Sequence, residues 1–312
     1  MSERNPRELG QYAQEWARER LEPFALQTFE GRYGDAEDSE RVRLANFGLT
    51  TMLDCEARVI TMTGFDGWDV LKATRWLGVR ALHRYLTDDG VTGVQRAVRS
   101  TMANIIDEAA DDSDFVDGWM RRQPPGVRAL LAARSAGWIA SLLETVRDGD
   151  EEAEALKPPP VDGPPMRFYF PGRALMVEAR VDALYGRKNT KGPSDETLMV
   201  VVTAPAFVDQ ILDFEGTAAT LASGIAPGYV AAVMPKSGQV HKVPVDTAMI
   251  ERGLRLCERL ADLELRSNDG RGAAGVARNP SFFGCRSCAL ADTCQPHLDY
   301  AKQPVVFGGL QV

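Results

Sequence analysis

The sequence predicts an α/β protein in which a helical N-terminal portion precedes a mixed β-sheet flanked by helices. Up to about residue 148, apolar residues recur every three or four positions, which is the period of an amphipathic helix. After residue 165 they recur at every second position or in short continuous runs, as in strands. An acidic stretch with five prolines separates the two patterns and can continue neither a helix nor a central strand. We therefore predict a helical region over 1–157, a proline-rich linker over 158–165 and an α/β core over 166–312.

The helical portion contains two clear amphipathic segments, "VLKATRWLGVRALHRYL" from residue 70 and "GVRALLAARSAGWIASLLETV" from residue 126. Both are predicted as helices. In the first segment, helical spacing places a set of apolar residues along one side. The set is Val70, Leu71, Trp76, Leu77, Leu82 and Leu86.

The core region reads as strands, a helix, more strands and a second helix. The segments "MRFYFPG", "ALMVEARVDALYG" and "TLMVVVTAP" predict three consecutive strands. "FVDQILDFEGTAATLASG" predicts a helix that ends at Gly224, and "GYVAAVMP" and "QVHKVPVD" predict two further strands. "TAMIERGLRLCERLADLELR" predicts an amphipathic helix that begins near Thr247.

Charge limits the classes of function. A net charge of -8 and a pI of about 5.1 provide no overall attraction to nucleic acid. Any DNA contact must therefore come from a local basic patch, and most short patches are simply solvated surface. The sequence contains neither a G-x-x-x-x-G-K-[ST] phosphate loop nor a G-x-G-x-x-G motif after a predicted strand. The candidate patches are Arg121 with Arg122, and Arg187 with Lys188 and Lys191.

The sequence also predicts a cytoplasmic protein with no membrane association. No apolar run reaches the roughly eighteen residues that a membrane helix needs, and the charged start is unlike a signal peptide. In a reducing compartment, clustered cysteines are more often ligands than disulfides. The odd total of five cysteines likewise does not suggest a disulfide framework.

Three of the five cysteines lie close together near the C-terminus, with the spacing C-x2-C-x5-C. They are Cys285, Cys288 and Cys294. Two cysteines separated by two residues can bind one metal ion or two corners of one cluster from a single tight turn. The spacing therefore predicts a metal or cluster site.

Two residues compete as the fourth ligand. His297 would complete a local Cys3His set, which suits a structural zinc ion. Cys55 would instead complete four thiolates, the ligand set of a [4Fe-4S] cluster. The fifth cysteine, Cys257, is predicted to be an ordinary core residue. The local residues leave both alternatives open.

The order of these features resembles one protein family. An upstream Cys55, then His83 on a helix, Asp182 at the end of the second predicted strand, a helix with Gln210, and finally the C-x2-C-x5-C cluster follow one another. This order resembles the RecB-like PD-(D/E)XK nucleases with an iron-sulfur cluster, which include CRISPR-associated RecB-like exonucleases and AddB-type subunits. The resemblance covers roughly residues 50–297 and implies a PD-(D/E)XK-like core with DNA as a partner, within a larger protein complex.

The resemblance also implies the cofactor and its ligands. Cys55 and the three C-terminal cysteines would hold a [4Fe-4S] cluster that pins the helical portion to the end of the core. His297 would then be a bystander. A link between segments 230 residues apart would remove much chain entropy from the unfolded state, which gives the cluster a structural role.

The family's chemistry uses a histidine, an aspartate and an acid-x-lysine motif to bind Mg or Mn and activate water. The resemblance assigns the first two roles to His83 and Asp182. The third segment departs from the family pattern, because it reads "LMVVVTAPAF". Depending on register, Val202 or Thr203 replaces the acid, and Ala204 or Pro205 replaces the lysine.

Other residues could in principle replace the missing ones. Period-two alternation would place Glu178 on the same side of the strand as Asp182. The remaining candidate acids are Glu196, Asp213 and Glu215, and the candidate lysines are Lys188, Lys191 and Lys236.

Three functions follow as hypotheses. The one that we adopt is a catalytically degenerate nuclease-fold protein that acts in DNA binding or assembly. The second is an active metal-dependent DNA exonuclease with a rearranged site. The third is a zinc-stabilised interaction protein.

Overall fold

The structure is a computed structural model. It describes residues 5–29, 42–61, 69–107, 116–147, 156–157, 166–170, 175–185, 198–203, 206–268, 273, 275–279, 285, 288, 290–301, 306–307 and 310–311. None of the helices in these ranges combines the length and the apolar character that crossing a bilayer requires.

The fold is mixed α/β with a helical N-terminal part, as predicted. The helices are α1 (Pro6–Phe29), α2 (Asn46–Asp54), α3 (Glu56–Thr61), α4 (Val70–Thr87), α5 (Val94–Asp107), α6 (Val116–Arg122), α7 (Pro125–Arg147), α8 (Val208–Ser223), α9 (Thr247–Asn268) and α10 (Gln295–Ala301). The strands are β1 (Val42–Leu44), β2 (Leu156–Lys157), β3 (Met166–Tyr169), β4 (Leu175–Ala179), β5 (Ala183–Tyr185), β6 (Leu198–Val202), β7 (Tyr229–Met234), β8 (Gln239–Pro244), β9 (Val306–Phe307) and β10 (Leu310–Gln311).

The second predicted strand is wrong in one respect. "ALMVEARVDALYG" forms two strands, β4 and β5, with a break at residues 180–182. Asp182 therefore directly precedes a strand instead of ending one. The short strands β1 and β2 were not predicted, and the proline-rich linker at 158–165 lies outside the described residues.

The main sheet has five strands in the order β2-β5-β6-β7-β8. Its centre is the parallel pair β6 and β7, in which Val200 lies beside Ala231. Helix α8 provides the crossover between these two strands, as a parallel pair requires. The other neighbours in the sheet are antiparallel. A three-stranded sheet takes the order β1-β4-β3, and β9 pairs with β10.

Helices α4 and α7 cover the main sheet and complete its core. Leu77 of α4 and Trp138 of α7 are fully buried in one cluster with Val200 and Val233. A Cβ atom on Gly78 would come within 2.3 Å of the Trp138 ring, so the two helices approach closely at this glycine. The apolar side predicted for α4 is confirmed for five of its six members: Leu77 and Leu82 are buried, and Val70, Trp76 and Leu86 pack against the cluster. The sixth, Leu71, is half-buried.

Contacts divide the chain into two compact units, each assembled from three pieces. The first comprises Met1–Ala17, Gly67–Phe168 and Val177–Leu254. It contains the main sheet, α4 and α7. The second comprises Arg18–Asp66, Tyr169–Met176 and Arg255–Val312, and contains Cys55 and the C-terminal cysteines.

Candidate functional site

In the first unit, the sheet holds Asp182 in a fixed position. Its backbone N–H donates to the carbonyl of Val200 at 2.8 Å, and its Oδ2 accepts from the N–H of Val202 at 2.8 Å. The side chain is only 3% exposed. The carboxylate therefore lies buried beside the C-terminal end of β6, next to the segment where the family would carry its acid-x-lysine motif.

The Asp182 carboxylate pairs with Arg75 of α4. Arg75 Nε donates to Oδ2 at 2.8 Å, and a terminal guanidinium nitrogen of Arg75 contacts Oδ1. The two side chains are 12% and 3% exposed. A planar guanidinium that engages both oxygens of a carboxylate is a strong, geometrically specific pair. A cation of the protein thus neutralises the carboxylate that the resemblance assigns to metal.

The candidate replacement acids are also paired. Glu178 on β4 accepts from Arg167 Nε at 3.1 Å. Glu178 and Asp182 do not share one strand, so alternation along a single strand does not relate their positions. The two acids of α8 likewise have partners: Asp213 accepts two bonds from Arg252 at 2.8 Å, and the fully buried Glu215 accepts from the backbone N–H of Arg180 at 2.6 Å.

His83 and Gln210 are both more exposed to solvent than Asp182. His83 is half-buried on α4, with its Nδ1 3.5 Å from the Thr87 hydroxyl. Gln210 is exposed in the first turn of α8. Within the described ranges, no three His, Cys, Asp or Glu residues are grouped so as to hold a metal ion.

The remaining predicted residues of this region divide by location. Val202 and Thr203 are buried at the end of β6, where Thr203 N–H donates to the carbonyl of Val233 at 3.0 Å. Lys236 is exposed after β7, Arg122 is exposed and Arg121 is half-buried. The residues that lie outside the described part of the chain are Ala204, Pro205, Arg187, Lys188, Lys191 and Glu196.

All four cysteines of the predicted cluster set belong to the second unit, and none forms a disulfide. Cys55 is the residue after α2, and its Sγ accepts a hydrogen bond from the backbone N–H of Asn279 at 3.5 Å. Cys288 N–H donates to the carbonyl of Cys285 at 3.3 Å, so the backbones of these two cysteines are in contact. Cys55 and Cys294 are buried, whereas Cys285 and Cys288 are half-buried.

Glu56 links the Cys55 segment to α9 and to the residues before the cysteine cluster. Its Oε1 accepts from Arg259 Nε at 2.8 Å. Its Oε2 accepts from a terminal nitrogen of Arg259 at 2.5 Å and from the N–H of Ala277 at 2.9 Å. Arg259 holds the pKa of the Glu56 carboxyl below its usual range, chiefly through this hydrogen bonding.

Among the described residues, the four cysteines and His297 are not gathered into a metal site, so only the chemistry of their donor atoms can be compared with a metal or a cluster. Four thiols in one unit, with a backbone N–H directed at the Cys55 sulfur, suit a [4Fe-4S] cluster in their chemistry. His297 of α10 suits zinc, because its Nδ1 is buried without a hydrogen-bond partner among the described residues. Cys257 is fully buried on α9, as predicted for a core cysteine.

Sequence reasoning missed Arg75, Glu56 and Arg259. The signal for Arg75 was its position on the helix of His83, about two turns upstream. Glu56 directly follows Cys55, which was a second unused signal. Arg259 carried no signal, because it lies 203 residues from Glu56.

Comparison with known proteins adds little. No protein-family model matches the chain, and no curated protein matches it. Among solved structures, the chain was matched to the crystal structure of SSO0001 with 13% sequence identity, over 88% of this chain and 95% of that chain. The TM-score of this match is 0.26, a value at which it carries no argument.

A half-buried acid in the second unit, Glu264, gives a pH prediction. Burial raises the pKa of Glu264 on α9 to about 7. A folded-state pKa above the unfolded value means that the folded protein holds a proton which the unfolded chain releases. The free energy of unfolding should therefore fall between pH 4.5 and 7, by up to about 3 kcal/mol from this group. The variant Glu264→Gln should remove this decline and be the more stable protein at pH 8.

Urea denaturation at pH 5 and pH 8 checks this expectation. Glu258→Gln is the matched control, because Glu258 lies on the same helix in a loose pair with Arg20 at 3.9 Å. Removing such a pair changes stability by less than about 1 kcal/mol. Equal pH dependence in wild type and Glu264→Gln would contradict the raised pKa.

Proposed function

We propose that this chain is a cytoplasmic RecB-like nuclease-fold protein with a structural [4Fe-4S] cluster, and that it binds DNA or assembles with a partner without cutting DNA. The bidentate Arg75–Asp182 pair carries the proposal. In a nuclease of this family the carboxylate would bind a divalent ion. In this chain the guanidinium of Arg75 contacts both oxygens of the Asp182 carboxylate.

Electrostatics supports an inactive centre. Magnesium prefers hard oxygen ligands and is usually bound through one or two carboxylates together with waters and substrate phosphates. To coordinate the Asp182 carboxylate, a metal ion would have to displace Arg75 and leave its guanidinium buried without that partner. Breaking such a buried pair costs about 3–5 kcal/mol. At the end of β6, Val202 offers no ligand in return, and Thr203 offers only a neutral hydroxyl.

The proposed cluster has a mechanical role. Cys55, Cys285, Cys288 and Cys294 would hold it, and when bound it would cross-link two segments of the second unit that are distant in sequence. The protein itself brings the Cys55 segment into contact with residues 277–279, which precede the C-terminal cysteines in the sequence. The hydrogen bond between Asn279 and Cys55 supports this part of the proposal.

Incubation of the anaerobically purified protein with labelled single- and double-stranded DNA tests the proposal. With Mg or Mn we expect no cleavage. We expect binding whose affinity falls as salt rises, since basic residues would contact phosphates. A chain without DNA affinity would restrict the proposal to the assembly role. Cleavage that Asp182→Ala abolishes in a folded variant would overturn it and favour the active exonuclease.

A zinc-stabilised interaction protein is the second candidate, and one observation favours it. The buried Nδ1 of His297 has no hydrogen-bond partner among the described residues. A zinc ion held by His297 and the three C-terminal cysteines would satisfy that nitrogen. In this alternative Cys55 takes no part in metal binding.

A further inference from the structure

We propose that Glu56 and Arg259 are positioning residues for Cys55, which hold its thiol against the segment that leads to the C-terminal cysteines. This inference rests on the proposed function, because it assigns these residues a part in retaining the cluster. They act through Cys55 and are not themselves ligands.

The Glu56 carboxylate joins three parts of the second unit. It begins α3, it receives two hydrogen bonds from Arg259 of α9, and it receives a third from the N–H of Ala277. Charge-assisted bonds of this kind are about twice as strong as neutral ones. Because Glu56 is covalently bonded to Cys55, fixing its side chain also fixes the backbone that carries the thiol.

The two backbone segments run alongside each other. The N–H of Ala57 donates to the carbonyl of Ala277 at 3.4 Å, and the N–H of Asn279 donates to Cys55 Sγ at 3.5 Å. With the bond between Ala277 and Glu56, three contacts connect 55–57 to 277–279. Cys55 is thus placed by hydrogen bonds between protein groups.

This placement limits the distance to the other ligands. Cys285 follows Asn279 by six positions, and six residues span at most about 20 Å when fully extended. The chain length between Asn279 and Cys285 therefore limits how far Cys285 can lie from the thiol of Cys55. Without the Glu56 contacts, bringing the two together would require ordering the chain at the moment of cluster assembly.

The chain provides a matched control. Asp262 accepts from the same Arg259 at 3.1 Å, but its other contact is Arg266, and all three lie on α9. Removing Asp262 takes one carboxylate from Arg259 and leaves the contacts of Glu56 with Ala277 in place. The pair Glu56→Ala and Asp262→Ala therefore separates a positioning role from loss of a surface ion pair.

The experiment compares iron retention in the full chain. Wild type, Glu56→Ala, Glu56→Gln, Arg259→Ala and Asp262→Ala are purified anaerobically, and iron release to a chelator is followed by the absorbance near 400 nm. Outer-shell substitutions typically cost about 10–100-fold in metal affinity. We expect release about tenfold faster in Glu56→Ala and Arg259→Ala, an intermediate rate in Glu56→Gln, and an unchanged rate in Asp262→Ala.

The outcomes are distinguishable. Far-UV circular dichroism establishes that each variant is folded, and Glu56→Gln, which keeps an acceptor for Ala277, replaces Glu56→Ala if the latter does not fold. Iron retained equally by Glu56 variants and wild type overturns this inference alone. A wild-type chain that holds zinc or no metal overturns the proposed cluster together with it.

Discussion

We expect Arg75→Met to lower the free energy of unfolding by about 3–5 kcal/mol, because it leaves the carboxylate of Asp182 buried without its cation. The pair is bidentate and almost fully buried. Urea denaturation followed by circular dichroism measures the loss. Arg167→Met is the control: its Nε lies 3.1 Å from Glu178 and the two side chains are 22% and 16% exposed, so we expect a smaller loss than for Arg75→Met.

A double-mutant cycle isolates the pair. The variant Arg75→Met/Asp182→Leu removes both charges but leaves the N–H of Val202 without its acceptor, which costs about 1–3 kcal/mol. Its loss of stability should still be smaller than the sum of the two single losses by about 2 kcal/mol. Strict additivity would mean that Asp182 is not paired with Arg75 in solution, and it would remove the observation that carries the proposed function.

Cys55→Ala should abolish most of the iron binding. We expect anaerobically purified wild type to be brown, with about four iron atoms per chain, because four thiolates are the ligand set of a [4Fe-4S] cluster. Removing one of the four ligands should lose most of the iron and the absorbance near 400 nm. Elemental analysis of both proteins gives the result directly.

His297→Ala is the reciprocal variant. For an iron-sulfur cluster it should leave the iron content unchanged. For a zinc site the pattern reverses: the wild type holds about one zinc, His297→Ala loses it and Cys55→Ala keeps it. Each variant thus excludes one of the two donor sets.

The elements of the sheet region were predictable where local chemistry defines them. Gly224 ends α8 with a φ of 73°, a backbone conformation that glycine adopts without steric cost, and the sequence predicted that end. Helix α9 begins at Thr247 as predicted, and the predicted strand segments became β6, β7 and β8. In these places the pattern and the tertiary structure agree.

The break before β5 was not predictable, because contacts distant in sequence determine it. Glu215 binds the N–H of Arg180, and the aspartate at the break pairs with a residue 107 positions upstream. Apolar alternation continues through these positions and contains no turn signal. The ion pair itself was invisible to sequence reasoning, since an arginine on an amphipathic helix is most simply a solvated residue.

The proposed cluster site in the second unit rests partly on a local pattern and partly on the family resemblance. The C-terminal cysteine spacing indicated metal binding by itself, whereas Cys55 was selected by family resemblance. Its contact with Asn279 spans 224 residues, and no local pattern encodes such a pairing. The contacts of Glu56 were missed for the same reason.

The three-piece construction of the second unit affects how the protein is made. Residues 18–66 leave the ribosome about 190 residues before the segment that begins at Arg255. At roughly 5–20 residues per second, this leaves an interval of about 10–40 s. Leu44, Leu49 and Met52 are buried in the folded protein. During that interval the rest of their unit has not been synthesised, so we expect these apolar side chains to be exposed. The N-terminal part of a nascent chain is therefore the segment for which we expect chaperone protection to matter most.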